Sequence, residues 1–398
     1  MTLVSILIPA HNAGSTIERA VTSAVASPHR PLQICIYDDG STDNTWELMG
    51  SLSASLSGPE VGFSLLRGEG QVGVGGARNA VAGLAEGEYY AWLDADDEML
   101  PCRIGCALAR LETCSEPENT LLGAGVVRPG NATPRYTEWA NSLDDQGVMA
   151  HAFRECTLLQ PTWFCHASVF ARVGGYDEEG LAEDLKFFYA ALEAGVLLAK
   201  IDHVCVVYHY SQDSLSWSVP RKLLLSIRVA AFERMVLPEW DSFMIWGAGR
   251  DGKAVYRALS DAGKAKVAAF VDIDPGKLKL GEYLQYGHVP HIVNSFGKKR
   301  GKGKNARKRS KDISGAPSSS SSSSVGIPID PVDGEEAFDP VIRIKIKNIP
   351  VRKIPILPIS DLTFPFITCV ALDRTNGEFE ANLASTNARP TLDFHYLV

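Results

Sequence analysis

Strand-length apolar runs alternate with helical patterns over residues 4–97, and no other feature restricts the possible folds as much. Val4–Ile8 reads as a buried strand, and apolar positions at Ile17, Ala20, Val21, Ala24 and Val25 give the next segment a helical period. Gln33–Tyr37 is a second strand ending in Asp38-Asp39-Gly40-Ser41-Thr42-Asp43, where Asp43 or Ser41 can accept the first free helix N–H groups. Phe63–Leu66 is a third strand, Arg78–Ala85 a helix, and Tyr89–Leu93 a fourth strand ending in Asp94-Ala95-Asp96-Asp97. Strands alternating with helices predict an α/β fold with a mostly parallel sheet. Such sheets bind ligands beyond the carboxyl ends of their strands, where the polar and acidic clusters of this chain fall.

The chain has 398 residues, more than one hydrophobic core usually absorbs, so two domains are expected. The pattern restarts near Trp240. A strand over Ser242–Trp246 leads into Gly247-Ala248-Gly249-Arg250-Asp251-Gly252, a helix to Leu259, and a strand Val267–Val271 ending in Asp272. Strands at Ile354–Ile359 and Phe366–Leu372 follow. The expected division is residues 1–239 and a smaller Rossmann-like α/β domain at 240–398, interrupted at 297–339 by a basic and serine-rich insertion. That insertion contains seven consecutive serines, Ser318 to Ser324, and its composition predicts disorder.

A hydrophobic share of 45% and a charged share of 22% exclude a disordered, collagen-like or coiled-coil chain. No run approaches the roughly 18 apolar residues of a membrane span, and Leu3 to Ala10 has no basic region before it, so neither a signal peptide nor an anchor is expected. The eight cysteines show no CxxC pair and no zinc spacing, and are expected as reduced thiols of a cytoplasmic or nuclear protein. Cys102 and Cys106 can share a helix face, where an ordinary pair of small apolar residues is the favoured reading. Nine basic residues and no acidic one lie between Lys298 and Lys311, while the whole chain carries −8. That run could neutralise phosphates, act as a nuclear-localisation signal, or do neither.

Asp94-x-Asp96-Asp97 places three carboxylates at one strand end, two of them on one side of an extended backbone. Hard oxygen ligands in an incomplete set suit Mg²⁺ or Mn²⁺ held jointly with substrate phosphates. The cluster also reads as a solvated acidic turn, but Pro9–Asn12 and Asp38–Ser41 at the other strand ends favour function. Together with Gly75-Gly76-Ala77-Arg78-Asn79 and Gly87-Glu88-Tyr89-Tyr90, these motifs resemble the inverting glycosyltransferases of family 2, which have the GT-A fold. The resemblance covers roughly Met1 to Tyr210. It implies that Pro9, His11, Asn12 and Asp39 hold the uridine of a UDP-sugar, that Asp94 sits near the ribose, and that Asp96 binds a metal bridging the diphosphate. Arg78 would lie close to the donor. A carboxylate at Asp39 can accept the uracil N3–H, a donor that cytosine lacks.

The resemblance further implies that Asp184, in Glu183-Asp184 after the Gly174-Gly175-Tyr176 turn, is the general base of a single in-line displacement, with Glu183 orienting a neighbour. The pair also reads as the start of a helix through Tyr189, favoured there by the helix dipole. His209, in Tyr208-His209-Tyr210, would be a ligand of the metal or diphosphate, although a lone histidine at a strand end is also commonly structural.

Pro161-Thr162-Trp163-Phe164-Cys165, the Val173–Tyr176 turn, Glu183–Tyr189 and Ile245–Gly252 together resemble one eukaryotic subfamily, the tRNA-queuosine galactosyltransferases. This implies transfer of galactose from UDP-galactose to queuosine in the anticodon of tyrosine tRNA. The serine-rich insertion departs from the subfamily pattern. Anticodon bases are read by stacking on aromatic side chains, and Trp163, Phe164 and Tyr176 are candidates for that role or for the apolar core. Gly247–Gly252 with Asp272 has dinucleotide-fingerprint spacing. Glycosyl transfer needs no hydride, however, so a structural or tRNA-docking module is favoured over an NAD site. Two other readings stand. One is a family-2 transferase of N-acetylglucosamine or another sugar acting on a glycan or lipid. The other is a catalytically idle UDP-sugar or RNA-binding protein, against which intact Asp39, Asp96 and Asp184 argue.

Overall fold

The computed structural model describes residues 2–210, 218–293, 343–370 and 378–397. The basic run at 298–311 and the serine run at 318–324 lie outside the described residues. The chain divides into two compact units, Met1–Gly281 with Ile356–Val398, and Glu282–Pro355.

The first unit opens with β1 (Val4–Ala10), α1 (Ile17–Val25), β2 (Leu32–Asp38), α2 (Thr45–Leu56), β3 (Val61–Arg67), α3 (Val74–Ala82) and β4 (Tyr89–Trp92). There follow β5 (Glu98–Met99), α4 (Arg103–Leu111), β6 (Thr120–Val127), α5 (Pro134–Ser142), α6 (Asp145–Ala150), β7 (Phe164–His166), α7 (Ala167–Val173), α8 (Glu183–Glu193) and β8 (Leu197–Val207). These strands form one eight-stranded sheet in the order β3-β2-β1-β4-β7-β6-β8-β5. β7 runs antiparallel to both β4 and β6, and β5 runs antiparallel to β8, so the sheet is mostly parallel as expected. Val4, Ile6, Leu7 and Ile8 are fully buried because helices cover both faces of a parallel sheet, and each contributes about 1.5–3 kcal/mol. α1 buries Ile17, Ala20, Val21 and Ala24, the stripe that its periodicity predicts.

Register brings the functional ends together. Ala10 pairs with Asp38, Asp38 pairs with Arg67, and Leu7 pairs with Trp92. The residues after β1, β2 and β4 therefore leave the sheet at one end. α3 begins at Val74, a turn earlier than the expected Arg78, because Gly75 and Gly76 are helical here. A Cβ on Gly75 would stand 2.2 Å from the Asp177 carbonyl oxygen, so glycine permits a close approach that its low helix propensity conceals.

After α9 (Arg221–Met235), the same unit contains β9 (Phe243–Trp246), α10 (Arg250–Ala258), α11 (Asp261–Lys266), β10 (Val267–Asp272) and α12 (Pro275–Leu278). Next come β11 (Glu282–Val293) and β12 (Arg343–Pro358), and then β13 (Phe366–Thr368), α13 (Glu378–Ser385) and β14 (Phe394–Tyr396). β10, β9, β13 and β14 are parallel neighbours, and the Ile356–Pro358 end of β12 pairs in parallel with Phe270–Asp272. This is the second, α/β sheet expected in the C-terminal region. The second unit is an antiparallel hairpin in which Glu282 pairs with Pro355 and Val293 with Arg343. All eight cysteines are unbridged. Among the described residues, no helix is long and apolar enough to cross a membrane.

Candidate active site

The segments after β1 and β2 lock onto one another. His11 Nδ1 is 2.8 Å from the Asp39 carbonyl oxygen, and the Asn12 amide donates to Ser41 Oγ at 2.8 Å. Asn12 takes the left-handed conformation (φ 49°), and its Oδ1 accepts from Thr42 N at 2.9 Å. Asp43 accepts from Thr45 N at 3.1 Å and so caps α2, as expected, whereas Ser41 serves Asn12 instead. Pro9 is half-buried, and His11 and Asn12 are exposed. The buried Asp39 carboxylate accepts the N–H groups of Val72 at 2.7 Å and Gly73 at 3.0 Å. It thereby holds the loop before α3, and each of its oxygens retains a second acceptor position.

Beyond β4, the carboxylates of Asp94, Asp96 and Asp97 each bring an oxygen within 4.8 Å of the others. Asp97 is buried; its Oδ1 accepts from His209 N at 2.8 Å, and its Oδ2 is buried without a partner. Burial and the charges of Asp94 and Asp96 push the Asp97 carboxyl up to about 9. Desolvation and the Asp94 charge push Asp96 up to about 6. Three crowded hard-oxygen donors and an orphaned buried oxygen fit a divalent cation. Asp97, the third carboxylate of the sequence cluster and the one to which the family resemblance gives no role, belongs to this group. The His209 imidazole does not: its Nε2 faces Glu98 Oε1 at 2.7 Å, and Glu98 also pairs with Arg19 at 3.3 Å. The expectation that His209 serves the metal or diphosphate stands as a proposal, with Nδ1 as the ring nitrogen that does not face Glu98. Its ring lies near enough for its charge to lower Asp96, and its backbone N–H holds Asp97.

A carboxyl raised on folding binds protons in the native state, so its contribution to stability falls as pH rises from about 4 towards the folded value. Asp97→Asn keeps the acceptor for His209 N and removes the charge. It is expected to stabilise the cation-free protein by on the order of 1–2 kcal/mol at pH 8, with little effect at pH 4. Denaturant midpoints at the two pH values check this. The same variant should lose the stabilisation that added Mn²⁺ confers on the parent protein.

Arg78 joins this cluster to the start of α8. Its guanidinium pairs with Glu183, with Asp94 at 3.2 Å and with Gln160 Oε1 at 3.0 Å, and it lies 5.5 Å from the centroid of the Tyr176 ring. The side chain is 7% exposed, and the surrounding carboxylates hold it firmly protonated against the penalty of burial. Asp184, beside Glu183, is half-buried. Desolvation and the Glu183 charge push its carboxyl up to about 6, opposed by the positive charge of Arg78. Ala182, immediately before α8, has φ +63°, a left-handed strain of about 1–2 kcal/mol for a residue with a Cβ. Asn79 braces the preceding turn: Nδ2 donates to the Tyr176 carbonyl at 2.9 Å and Oδ1 accepts from Tyr176 N at 2.8 Å. Asn79→Ala is expected to lower stability by about 1–3 kcal/mol, read as a shift in denaturant midpoint.

The aromatic candidates are placed otherwise than as stacking faces. Trp163 and Phe164 are fully buried and Tyr176 nearly so. Trp163 donates to the Leu158 carbonyl at 2.8 Å, Phe164 stacks on Tyr89 at 5.5 Å, and Tyr176 supports Arg78 and Phe187. They are core, because apolar area outweighs any gain from presenting a ring to solvent. A second aromatic group is half-buried around the buried Arg128. Tyr136, Tyr208 and Tyr210 surround the Arg128 guanidinium at 5.0, 4.6 and 5.3 Å, and the charges of Asp94 and Asp97 reach Tyr208. Gln160 and Arg128 carry no motif of their own and become visible only through these contacts.

In the second sheet, Ala248 N donates to Asp272 Oδ2 at 2.7 Å, and Lys277 pairs with the same carboxylate at 3.0 Å. A Cβ on Gly252 would stand 1.9 Å from the Gly247 carbonyl oxygen, which accounts for the glycine by packing alone.

Residues 5–141 match the family model "Glycosyl transferase family 2". Over 113 residues the chain is 34% identical to the UDP-Glc:alpha-D-GlcNAc-diphosphoundecaprenol beta-1,3-glucosyltransferase WfaP of Escherichia coli, covering 28% of this chain and 43% of that protein. Over 99 residues it is 39% identical to chondroitin synthase of Pasteurella multocida, covering 25% of this chain and 10% of that one. The chain thus spans less than half the length of each of these relatives. The solved structure of S. aureus TarS 1–349 with UDP superposes at TM-score 0.49 and 16% identity, over 68% of this chain and 84% of that 1–349 chain. The region from Ser5 to Asn141, with its strand–helix alternation and acidic strand ends, is thus similar to the glycosyl transferase family 2 domains.

Proposed function

We propose that the protein is an inverting, metal-dependent glycosyltransferase that moves galactose from UDP-galactose to queuosine in the anticodon of a tRNA, tyrosine tRNA by resemblance. One observation carries the reaction type: Arg78 links the Asp94–Asp96–Asp97 carboxylates to the helix whose first turn holds Asp184. Metal site and base candidate therefore share one guanidinium. In this reading, Asp94, Asp96 and Asp97 hold Mn²⁺ or Mg²⁺, which when bound supplies Lewis-acid neutralisation of the diphosphate leaving group. The loops of Pro9, His11, Asn12 and Asp39 hold the uridine, with Asp39 accepting the uracil N3–H through its remaining acceptor position. Asp184 takes the proton of the acceptor hydroxyl, and a carboxyl raised to about 6 is a stronger base than an ordinary aspartate while remaining mostly ionised at pH 7. Arg78 orients Glu183 and, through it, the start of α8 that carries Asp184.

The sugar and the acceptor rest on the motifs Pro161–Cys165, Val173–Tyr176, Glu183–Tyr189 and Ile245–Gly252. The acceptor side is assigned to the aromatic group around Arg128, given that Trp163, Phe164 and Tyr176 are buried. A queuosine acceptor places the enzyme in the cytoplasm or nucleus. A second reading, a glycan or lipid acceptor, is favoured by the names of the relatives, which include a diphosphoundecaprenol glucosyltransferase and a chondroitin synthase.

The test is a transfer assay with UDP-galactose, Mn²⁺ and queuosine-containing tRNA, with nucleosides read by mass spectrometry. UDP-N-acetylglucosamine and tRNA lacking queuosine are the controls. Addition of a hexose only to queuosine is the expected result. Metal-dependent hydrolysis of UDP-sugar without transfer to tRNA would keep the reaction type and overturn the acceptor.

A further inference from the structure

Between the start of α4 and β8 lies a group of three thiols that the transfer reaction does not use. Cys102, Cys106 and Cys205 bring their sulfur atoms within 4.8 Å of one another. Cys102 is exposed, Cys106 half-buried and Cys205 buried, so the group has one open side. Cys102 is helical (φ −72°, ψ −16°) and its carbonyl accepts from Cys106 N at 2.9 Å, which places the two thiols one turn apart on α4. Cys205 comes from β8, and its carbonyl accepts from Leu100 N at 2.8 Å, just before α4.

Residues one turn apart on a helix have Cβ atoms about 5–6 Å apart. A disulfide needs roughly 3.5–4.5 Å, so Cys102 and Cys106 are badly placed for one without distortion of the helix. A cation with metal–sulfur bonds of about 2.3 Å bridges wider sulfur separations. Arg103 supplies the counter-charge. It is fully buried, donates through Nη2 to the carbonyls of Trp92 and Trp163 at 2.6 and 3.1 Å, and leaves Nε and Nη1 without partners. Burial pushes the Cys205 thiol up to about 12, and Arg103 is near enough for its charge to pull the other way.

We propose that Cys102, Cys106 and Cys205 form a three-thiolate site for a thiophilic, zinc-class cation, separate from the catalytic carboxylates. On binding, each thiol releases its proton to solvent and three metal–sulfur bonds form without any change of oxidation state. The thiolates and a divalent ion together carry one negative charge, which the buried Arg103 balances. Solvent completes the coordination on the exposed side of Cys102. The ion holds the first turn of α4 against β8, the elements flanked by Asp97 and His209.

The test uses the full chain, reduced and freed of metal, titrated with Co²⁺ and then Zn²⁺. The expected result is a thiolate-to-cobalt charge-transfer band saturating at one Co²⁺ per chain, displaced by Zn²⁺, with Cys102 then protected from alkylation. Cys102→Ser and Cys106→Ser should each weaken binding by about 100-fold or more, while Asp96→Asn retains the band. Absence of a thiolate band, a band unchanged in both cysteine variants, or a band lost in Asp96→Asn would each overturn the proposal. Cys102→Ser alters an exposed side chain, so the test does not depend on the folding of Cys205 variants.

Discussion

Asp184→Asn is expected to lower kcat by about 10²–10⁴-fold while leaving the binding of UDP and Mn²⁺ nearly unchanged. The amide keeps an acceptor for the Leu185 N–H, which Asp184 Oδ1 receives at 2.7 Å, so the start of α8 should hold its shape. Stability at pH 7 should be unchanged or slightly higher, because an aspartate raised to about 6 loses folded-state protons as pH climbs from about 4. The base works only when ionised, so the turnover of the parent protein should rise with pH through about 6 and then level. Single-turnover rates across pH 5–8, alongside titration of UDP binding, check both parts. Retained turnover in the Asn variant would remove Asp184 from the mechanism.

Arg78→Met should be the most damaging single change to the fold around the site. It leaves Asp94 and Glu183 without their shared cation and Gln160 without its donor. Breaking a buried pair on one side costs about 3–5 kcal/mol, and the lower end applies because the Asp94 side chain is 28% exposed. Arg78→Lys should recover little, since one ammonium on a flexible stem cannot serve three acceptors in a plane. Loss of the positive charge also removes what opposes the rise of Asp184, so any residual activity should require a higher pH. Denaturant midpoints and the acid limb of the rate profile separate the two effects. An unchanged midpoint with an unshifted limb would show that Arg78 neither anchors the fold around the site nor tunes Asp184.

The alternation over residues 4–97 was enough to establish a mostly parallel sheet, because apolar period and turn chemistry are local properties that β1, β2, β3 and β4 carry in their own residues. The acidic end of β4 and the loop of Asp39 were equally legible, since a cluster of charges after a buried strand must emerge at the sheet edge. Other assignments depended on the fold. Gly75 looked like a loop residue, and its helical place follows from a carbonyl contributed by Asp177 about a hundred residues later. Trp163, Phe164 and Tyr176 looked as suited to a binding face as to a core, and packing decided for the core. His209 stands where a ligand could stand, and the pairing of β5 with β8 brings Glu98 to its ring. Asp97 and Gln160 gained their roles in the same way, from partners distant in the chain. Sequence determines which groups are available and at which end of the sheet they emerge. Long-range packing alone determines which of them meet, because contacts between residues eighty or a hundred positions apart depend on strand order and register.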